Sequence, residues 1–264
     1  MTNSDNIVYY KLDNLIANVV INNEKQLNSL NKNILQKLLD ILSHLNNLDS
    51  SLCRLIVISS VGEKSFIAGA DIKFMKEAGT SEISDFIKLG HSVMNLISSL
   101  NVPVLALVEG FALGGGLELA LACDLIISTS NSRFGLVETN LGLIPGFGGT
   151  QRLAMKIGIA KAKKLIYLAE TITAEEAHNI GLIDYLFTQE TKSEQLQQIT
   201  NSLLSKSYHS LLFAKKSLNS FYENTLTANL ESEILNFLNV FKTNDAIEGI
   251  DAFISKRKPS FIGK

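Results

Sequence analysis

Two cysteines in 264 residues leave little room for a disulfide framework or a cysteine-built metal site. Cys53 in "SLCRLIVIS" and Cys123 in "LALACDLII" both stand in apolar runs, the setting of buried free thiols in a reducing, cytoplasmic compartment. Charge of one sign is lacking as well: 24 Lys and Arg against 26 Asp and Glu give a net −2, no footprint for nucleic acid. No apolar run reaches the roughly 18 residues of a membrane span. The first residues, "MTNSDNIVYYKLDN", carry neither the basic nor the apolar segment of a secretory signal, so none is expected. Two local lysine clusters, Lys161 to Lys164 and Lys215 to Lys216, are expected on solvated helix faces.

Several catalytic signatures are missing. There is no G-x-S-x-G elbow for a hydrolase serine. His44, His91, His178 and His209 are scattered, with no H-E-x-x-H and no metal-spaced pair, and read as surface or helix-end residues. "GLIPGFGGT" (142–150) has the look of a phosphate loop but no Lys before Thr150, and "GFALGGG" does not fit a dinucleotide G-x-G-x-x-G.

What is present is apolar: 46% hydrophobic against 19% charged residues supports a sizeable core. The first half alternates strand-like runs (16–22, 52–60, 102–110, 124–129) with helical stripes at 29–45 and 81–100. That alternation predicts α/β architecture with buried, largely parallel strands. Thr173 and Glu176 form a capping box before Gly181. Beyond about residue 192 the pattern is helical, as in 229–242, where Leu230, Ile234, Leu238 and Phe241 share a stripe. With no linker to mark it, the boundary falls softly near 200: residues 1–200 as the α/β core with the active site, 201–264 as a helical region for packing and oligomerisation. The polar stretch 75–85 reads as a loop.

Chemistry concentrates at three glycine-rich junctions: "KSFIAGADIKFM" (64–75), "EGFALGGGLELA" (109–120) and "FGLVETNLGLIPGFGGTQR" (134–152). Glycine and alanine let backbone approach a ligand. A helix starting there offers unpaired N–H groups, and two of them converging on one oxygen make an oxyanion hole. Glu118 lies in the first turn after "GGG", in a helix apolar nearly all round, and Glu138 lies in an apolar, glycine-rich segment. A buried carboxylate must be paired, protonated or functional. Glu118 also reads as an acid that favours the helix dipole, Glu138 as an ordinary loop acid, and Asp71 and Asp124 as structural caps or salt-bridge partners.

At these junctions the sequence resembles the enoyl-CoA hydratase (crotonase) family. The likeness runs from "INNEKQLNSLN" (21–31) through the three junctions to "AFISKRKPSF" (252–261). It implies a crotonase-like spiral of ββα units followed by a helical C-terminal trimerisation region, assembled as a trimer or a hexamer of paired trimers. The implied ligand is an acyl-CoA thioester, with CoA part of the substrate and no separate cofactor, metal, nucleic acid or membrane. By motif position, the oxyanion donors are the N–H groups of Ala70 and Gly115, and the two hydratase glutamates are Glu118, activating water, and Glu138, protonating Cα. Implied CoA contacts are Lys25 and Leu27, then Lys64, Ala68, Asp71, Ile72 and Lys73 in and around "AGAD", and Phe253 and Lys256 reaching a neighbouring subunit's CoA.

The implied reaction is reversible hydration of a trans-2-enoyl-CoA to a 3-hydroxyacyl-CoA. Isomerase or hydrolase chemistry on the same scaffold is the alternative, and a non-catalytic or RNA-binding protein the remote one. Acyl chain length and pathway, β-oxidation among them, stay open. Two positions depart from the family pattern. Asn23-Glu24 stands where Arg-Pro is common, bringing an acid to the phosphate region, and Val137 replaces the proline before Glu138.

Overall fold

A computed structural model describes residues 6–222 and 224–263. The chain opens with a hairpin, β1 (Val8–Asp13) antiparallel to β2 (Ile16–Ile21). Its two-residue turn puts Asn14 and Leu15 at φ 48° and 69°, the left-handed pair that matches strand twist. α1 (Lys32–Asn46) buries Ile34, Leu35, Leu38, Leu42 and Leu45, and Asn31 caps it through the Ile34 N–H. The helix lies where its apolar spacing predicts it, with Ile34, Leu38 and Leu45 on the buried face and Ile41 only half-buried beside Leu42.

Three turns of one pattern follow: a long strand, a short strand, then helix. The first is β3 (Leu55–Ser60), β4 (Ser65–Ile67), α2 (Ile72–Glu77) and α3 (Thr80–Ser99). The second is β5 (Val104–Val108), β6 (Phe111–Leu113) and α4 (Gly115–Ala122). The third is β7 (Leu125–Thr129), β8 (Arg133–Gly135), a 3-10 turn Glu138–Leu141, then α5 (Gly149–Ile157) and α6 (Ile159–Tyr167). After β9 (Ile172–Thr173), α7 (Ala174–Asn179) and β10 (Tyr185–Phe187), the described chain is helical: α8 (Lys192–Leu204), α9 (Tyr208–Asn219), α10 (Leu226–Phe241) and α11 (Asn244–Ile254).

The long strands and the short β10 form one sheet, order β1-β2-β3-β5-β7-β10, parallel from β2 onward; the remaining short strands form a second, β4-β6-β8-β9. Parallel strands covered on both faces read as continuous apolar runs, and β5, "VLALV", is buried at every residue. This is the expected spiral of ββα units. Because each turn leaves the small sheet at its glycine junction, the junctions stack side by side.

Two expectations need correction. The stretch 75–85 is not a loop: α2 runs to Glu77 and α3 begins at Thr80, with only Ala78 and Gly79 between. Gly79 is the N-cap, and its N–H donates to Glu82 at 3.0 Å; the polar residues are a helix start. Lys215 is not on a solvated face. It is 8% exposed, and its ammonium donates to Asp124 at 2.7 Å and to the Val102 carbonyl at 3.0 Å. Burial of Lys215 ties α9 to the strand junctions, and Asp124 holds the Val104 N–H with the same oxygen, the structural role expected of it. Cys53 is buried, Cys123 half-buried, and both are free.

α10 has no buried residue in the single chain; Leu230, Ile234, Leu238 and Phe241 are 50%, 60%, 46% and 54% exposed. An apolar stripe this open is a face made to be covered.

Candidate active site

The first junction is held by a bridge between Leu30 and Ala70. The Leu30 N–H donates to the Gly69 carbonyl and the Asp71 N–H to the Leu30 carbonyl. The Ala70 N–H lies between these bonds and takes no part in the pairing. At the second junction Gly115 is the first residue of α4, and the first N–H of a helix has no intrahelical acceptor. Gly114 precedes it at φ 49°, ψ −122°, a backbone that side chains rarely adopt. A Cβ there would lie 3.6 Å from Gly69 Cα and 2.9 Å from Glu138 Oε1. The two junctions and the second glutamate therefore meet at Gly114.

Glu118, 2% exposed, sits one turn into α4. Its Oε1 accepts two hydrogen bonds, from Phe147 N–H and Gly149 N–H, each 2.7 Å. Burial pushes its pKa from 4.5 to about 7; the Gly149 and Phe147 N–H groups and Arg152 oppose this, while Glu138 reinforces it. A carboxyl so placed exchanges a proton near neutrality, which suits a general base or acid. Both protein donors fall on Oε1, so Oε2 is the oxygen turned to other use.

Glu138 opens the 3-10 turn. Burial raises its pKa, and its Oε2 is buried with no hydrogen-bond partner. A buried carboxylate oxygen without a donor asks for one from outside the chain. Val137, in place of the family proline, holds φ −102°, ψ 8° at the N-cap of that turn. Together the parts can hold a carbonyl oxygen with two N–H groups and place two carboxyl groups beside it.

Lys25, Leu27 and Lys64 are brought together, with Glu24, Asn28 and Ser65, around a cleft of about 290 Å³. Leu27 and Asn28 turn left-handed there, at φ 51° and 56°. The strain is held by the Ala68 N–H and Ser65 hydroxyl, both donating to the Leu27 carbonyl, and by the Asn28 amide, which donates to the Val61 and Ser65 carbonyls. Ala68 is thus tied to the cleft's rim. Asp71 caps α2 through the Phe74 N–H at 3.1 Å. Ile72 and Lys73, also on α2, are exposed. Phe253, 86% exposed, lies far along the chain on α11, beside an apolar groove of about 410 Å³, and Lys256 follows that helix at φ 54°; neither lines the cleft.

Some site groups had no signal in the sequence. Phe147 and Gly149 act through backbone N–H, which any residue type supplies. Phe147 is fixed by its ring, edge-on to Phe86 at 5.4 Å, itself edge-on to Phe74. Asn28 and Ser65 are ordinary polar residues until the turn buries them. Among the described residues no cluster of His, Cys, Asp and Glu could hold a metal ion, and no helix is long and apolar enough to cross a membrane.

A spiral of ββα turns that stacks glycine junctions against the buried Glu118 and the half-buried Glu138 defines the crotonase class of fold. The chain belongs to the enoyl-CoA hydratase/isomerase family, whose model matches residues 11–264. It is 40% identical to a crotonyl-CoA hydratase from Syntrophomonas wolfei, covering 98% of this chain and 99% of that protein. It is 39% identical to a short-chain-enoyl-CoA hydratase from Clostridium acetobutylicum, covering 96% of each. The crystal structure of an enoyl-CoA hydratase from Bacillus anthracis superposes with a TM-score of 0.93 at 33% identity, covering 98% of this chain and all of that one.

Proposed function

We propose that the protein is an enoyl-CoA hydratase, adding water reversibly to a trans-2-enoyl-CoA to give the 3-hydroxyacyl-CoA. The observation that carries this reading is the carboxyl pair: Glu118 near neutrality beside Glu138, whose Oε2 lacks a protein donor. The N–H groups of Ala70 and Gly115 hold the thioester oxygen as it gains enolate charge. Glu118 takes the proton of the attacking water through Oε2 while the oxygen bonds to Cβ, and Glu138 delivers a proton to Cα. The pair is competent with one proton between them, which its mutual repulsion favours.

CoA phosphates meet Lys25 and Lys64 at the cleft, with Leu27 beside the adenine, and Glu24 weakens rather than abolishes that attraction. The relatives named for crotonyl and short-chain substrates, together with the edge-to-face Phe74-Phe86-Phe147 cluster at the turn that holds Glu118, favour short acyl chains. The open face of α10 in the 201–264 region is covered by further copies of the chain, as a trimer or hexamer, which would bring Phe253 and Lys256 towards a neighbour's CoA. Two free thiols fit a reducing cytoplasm.

The test follows loss of the conjugated enoyl-thioester absorbance and identifies the product. Glu118→Gln and Glu138→Gln should each lose at least about 10²-fold in kcat. Near-wild-type turnover in both variants would sink the reading.

A further inference from the structure

Glu118 is held by a turn, and one side chain bonds that turn's backbone from outside. Arg152 of α5 folds back over the turn that precedes its helix. Its Nη1 donates to the Phe147 carbonyl at 3.1 Å, and its Nη2 donates to Asn95 Oδ1 at 2.8 Å. The guanidinium passes so close over Gly148, at φ 103°, that a Cβ there would collide with Nη1. Phe147 thus presents its N–H to Glu118 and its carbonyl to Arg152, so both ends of that residue's hydrogen bonding are taken. Asn95 lies on α3, the helix whose Phe86 also fixes the Phe147 ring. Two anchors on one helix, one polar and one aromatic, hold the turn from outside.

We infer that Arg152 is a positioning residue for hydration: steadied by Asn95, it clamps the Phe147 carbonyl so that the Phe147 and Gly149 N–H groups stay aimed at Glu118 Oε1. This rests on Glu118 being the water-activating base. With Oε1 held twice, only Oε2 is free to address water, which fixes where the proton is taken. A two-pronged planar guanidinium can join the Phe147 carbonyl and the Asn95 amide at once, and a lysine ammonium cannot match that geometry.

The clamp has an electrostatic side. The charged groups facing Glu118 are Glu138 from the 3-10 turn, which raises its pKa, and Arg152 from α5, which lowers it. α3 contributes His91, whose Cε1 would lie 4.0 Å from a Cβ at Gly148, on the side where Arg152 passes. The flanking short strands β4 and β6 carry no charged residue, and Lys156 of α5 is paired with Asp184.

The experiment measures kcat, KM and the pH profile of crotonyl-thioester hydration for Arg152→Lys, Arg152→Met and Asn95→Ala, with melting curves to normalise for folded protein. It adds NMR titration of the Glu118 carboxyl in glutamate-labelled protein, assigned with Glu118→Gln. Arg152→Met should lose roughly 10- to 100-fold in kcat with KM changed less than about threefold, and its acid limb should move to higher pH as Glu118 loses its cation. Arg152→Lys should keep the limb but recover kcat only in part, and Asn95→Ala should lose kcat with the charge still present. Wild-type kcat per folded molecule with an unmoved limb in both Arg152→Met and Asn95→Ala overturns the inference, as does a loss confined to KM. If Arg152→Met does not fold, Arg152→Lys and Asn95→Ala decide on the same readouts. A wild-type protein that hydrates nothing counts against the reading of Glu118 as base. The carboxyl titration needs no turnover and decides the clamp separately: an unshifted Glu118 midpoint in Asn95→Ala and Arg152→Met overturns it.

Discussion

Replacing Glu118 by glutamine should lower kcat at least about 10²-fold and stabilise the fold, the second effect coming from the burial of this carboxyl. The folded protein lifts this carboxyl from 4.5 to about 7. Between those values the folded state binds the proton and the unfolded chain releases it, so stability falls as pH rises through the window and levels off above it. At 1.36 kcal/mol per pH unit, the ionised form costs the folded state about 3 kcal/mol. Glutamine keeps an oxygen for the Phe147 and Gly149 N–H groups and carries no charge. Urea unfolding at fixed protein concentration, run from below pH 4.5 to above pH 7, measures the difference. The two proteins should match within about 1 kcal/mol at the acid end, and glutamine should lead by about 3 kcal/mol at the alkaline end. Groups that do not feel the Glu118 charge titrate alike in both, so the difference isolates position 118 together with its coupling to Glu138 and Arg152. Parallel curves across the range would refute the assignment of a raised pKa to Glu118.

Three further outcomes follow from the geometry. Gly114→Ala should fold with a loss of about 1 to 3 kcal/mol, since its backbone suits glycine, and lose about 10²-fold in kcat because the new Cβ meets Glu138; circular dichroism and initial rates check it. Lys215→Met should cost about 3 kcal/mol in urea unfolding by leaving Asp124 without its cation, and adding Asp124→Asn should restore part of that. Lys25→Ala and Lys64→Ala should each raise KM about 2- to 5-fold at low salt, with kcat held, and the effect should shrink as salt is added.

The legible parts of the fold are those whose residues carry the instruction themselves. The α1 and α3 stripes are long enough to show a helical period, and β5 is a buried run of five apolar residues. The second sheet leaves no such trace: β4, β6 and β8 have three residues each and β9 two, too few to display alternation. The helix end and helix start within 75–85 are hidden because Gly79 and its polar neighbours have a loop's composition, and only the Glu82 bond back to the Gly79 N–H distinguishes a helix start. Lys215 resembles any surface lysine beside Lys216. Its partner Asp124 is 91 residues away, and no local pattern carries that pairing.

The site divides in the same way. The glycine junctions were legible because close backbone approach restricts residue type, so the requirement is written in the letters. Glu118 was legible as a conflict, a charge in a helix buried on nearly every side, and two resolutions stood open: an acid favouring the dipole of its own helix, or a group with chemistry. The structure resolves the conflict in a third way that contains parts of both. Glu118 stands in the first turn of its own helix, and it also serves the N-terminus of α5 through the Gly149 N–H, 31 residues on. Those donors take one oxygen and leave the other, so the bonds that make the buried charge tolerable also orient it. That arrangement cannot be read locally, because its donors are backbone groups without residue identity and their aim depends on a turn held from α3 by Asn95 and Phe86. A carboxylate tethered by another helix's first N–H can be tuned without altering its own helix, which is why the substitutions most informative about its proton affinity lie at Arg152 and Asn95 rather than within α4.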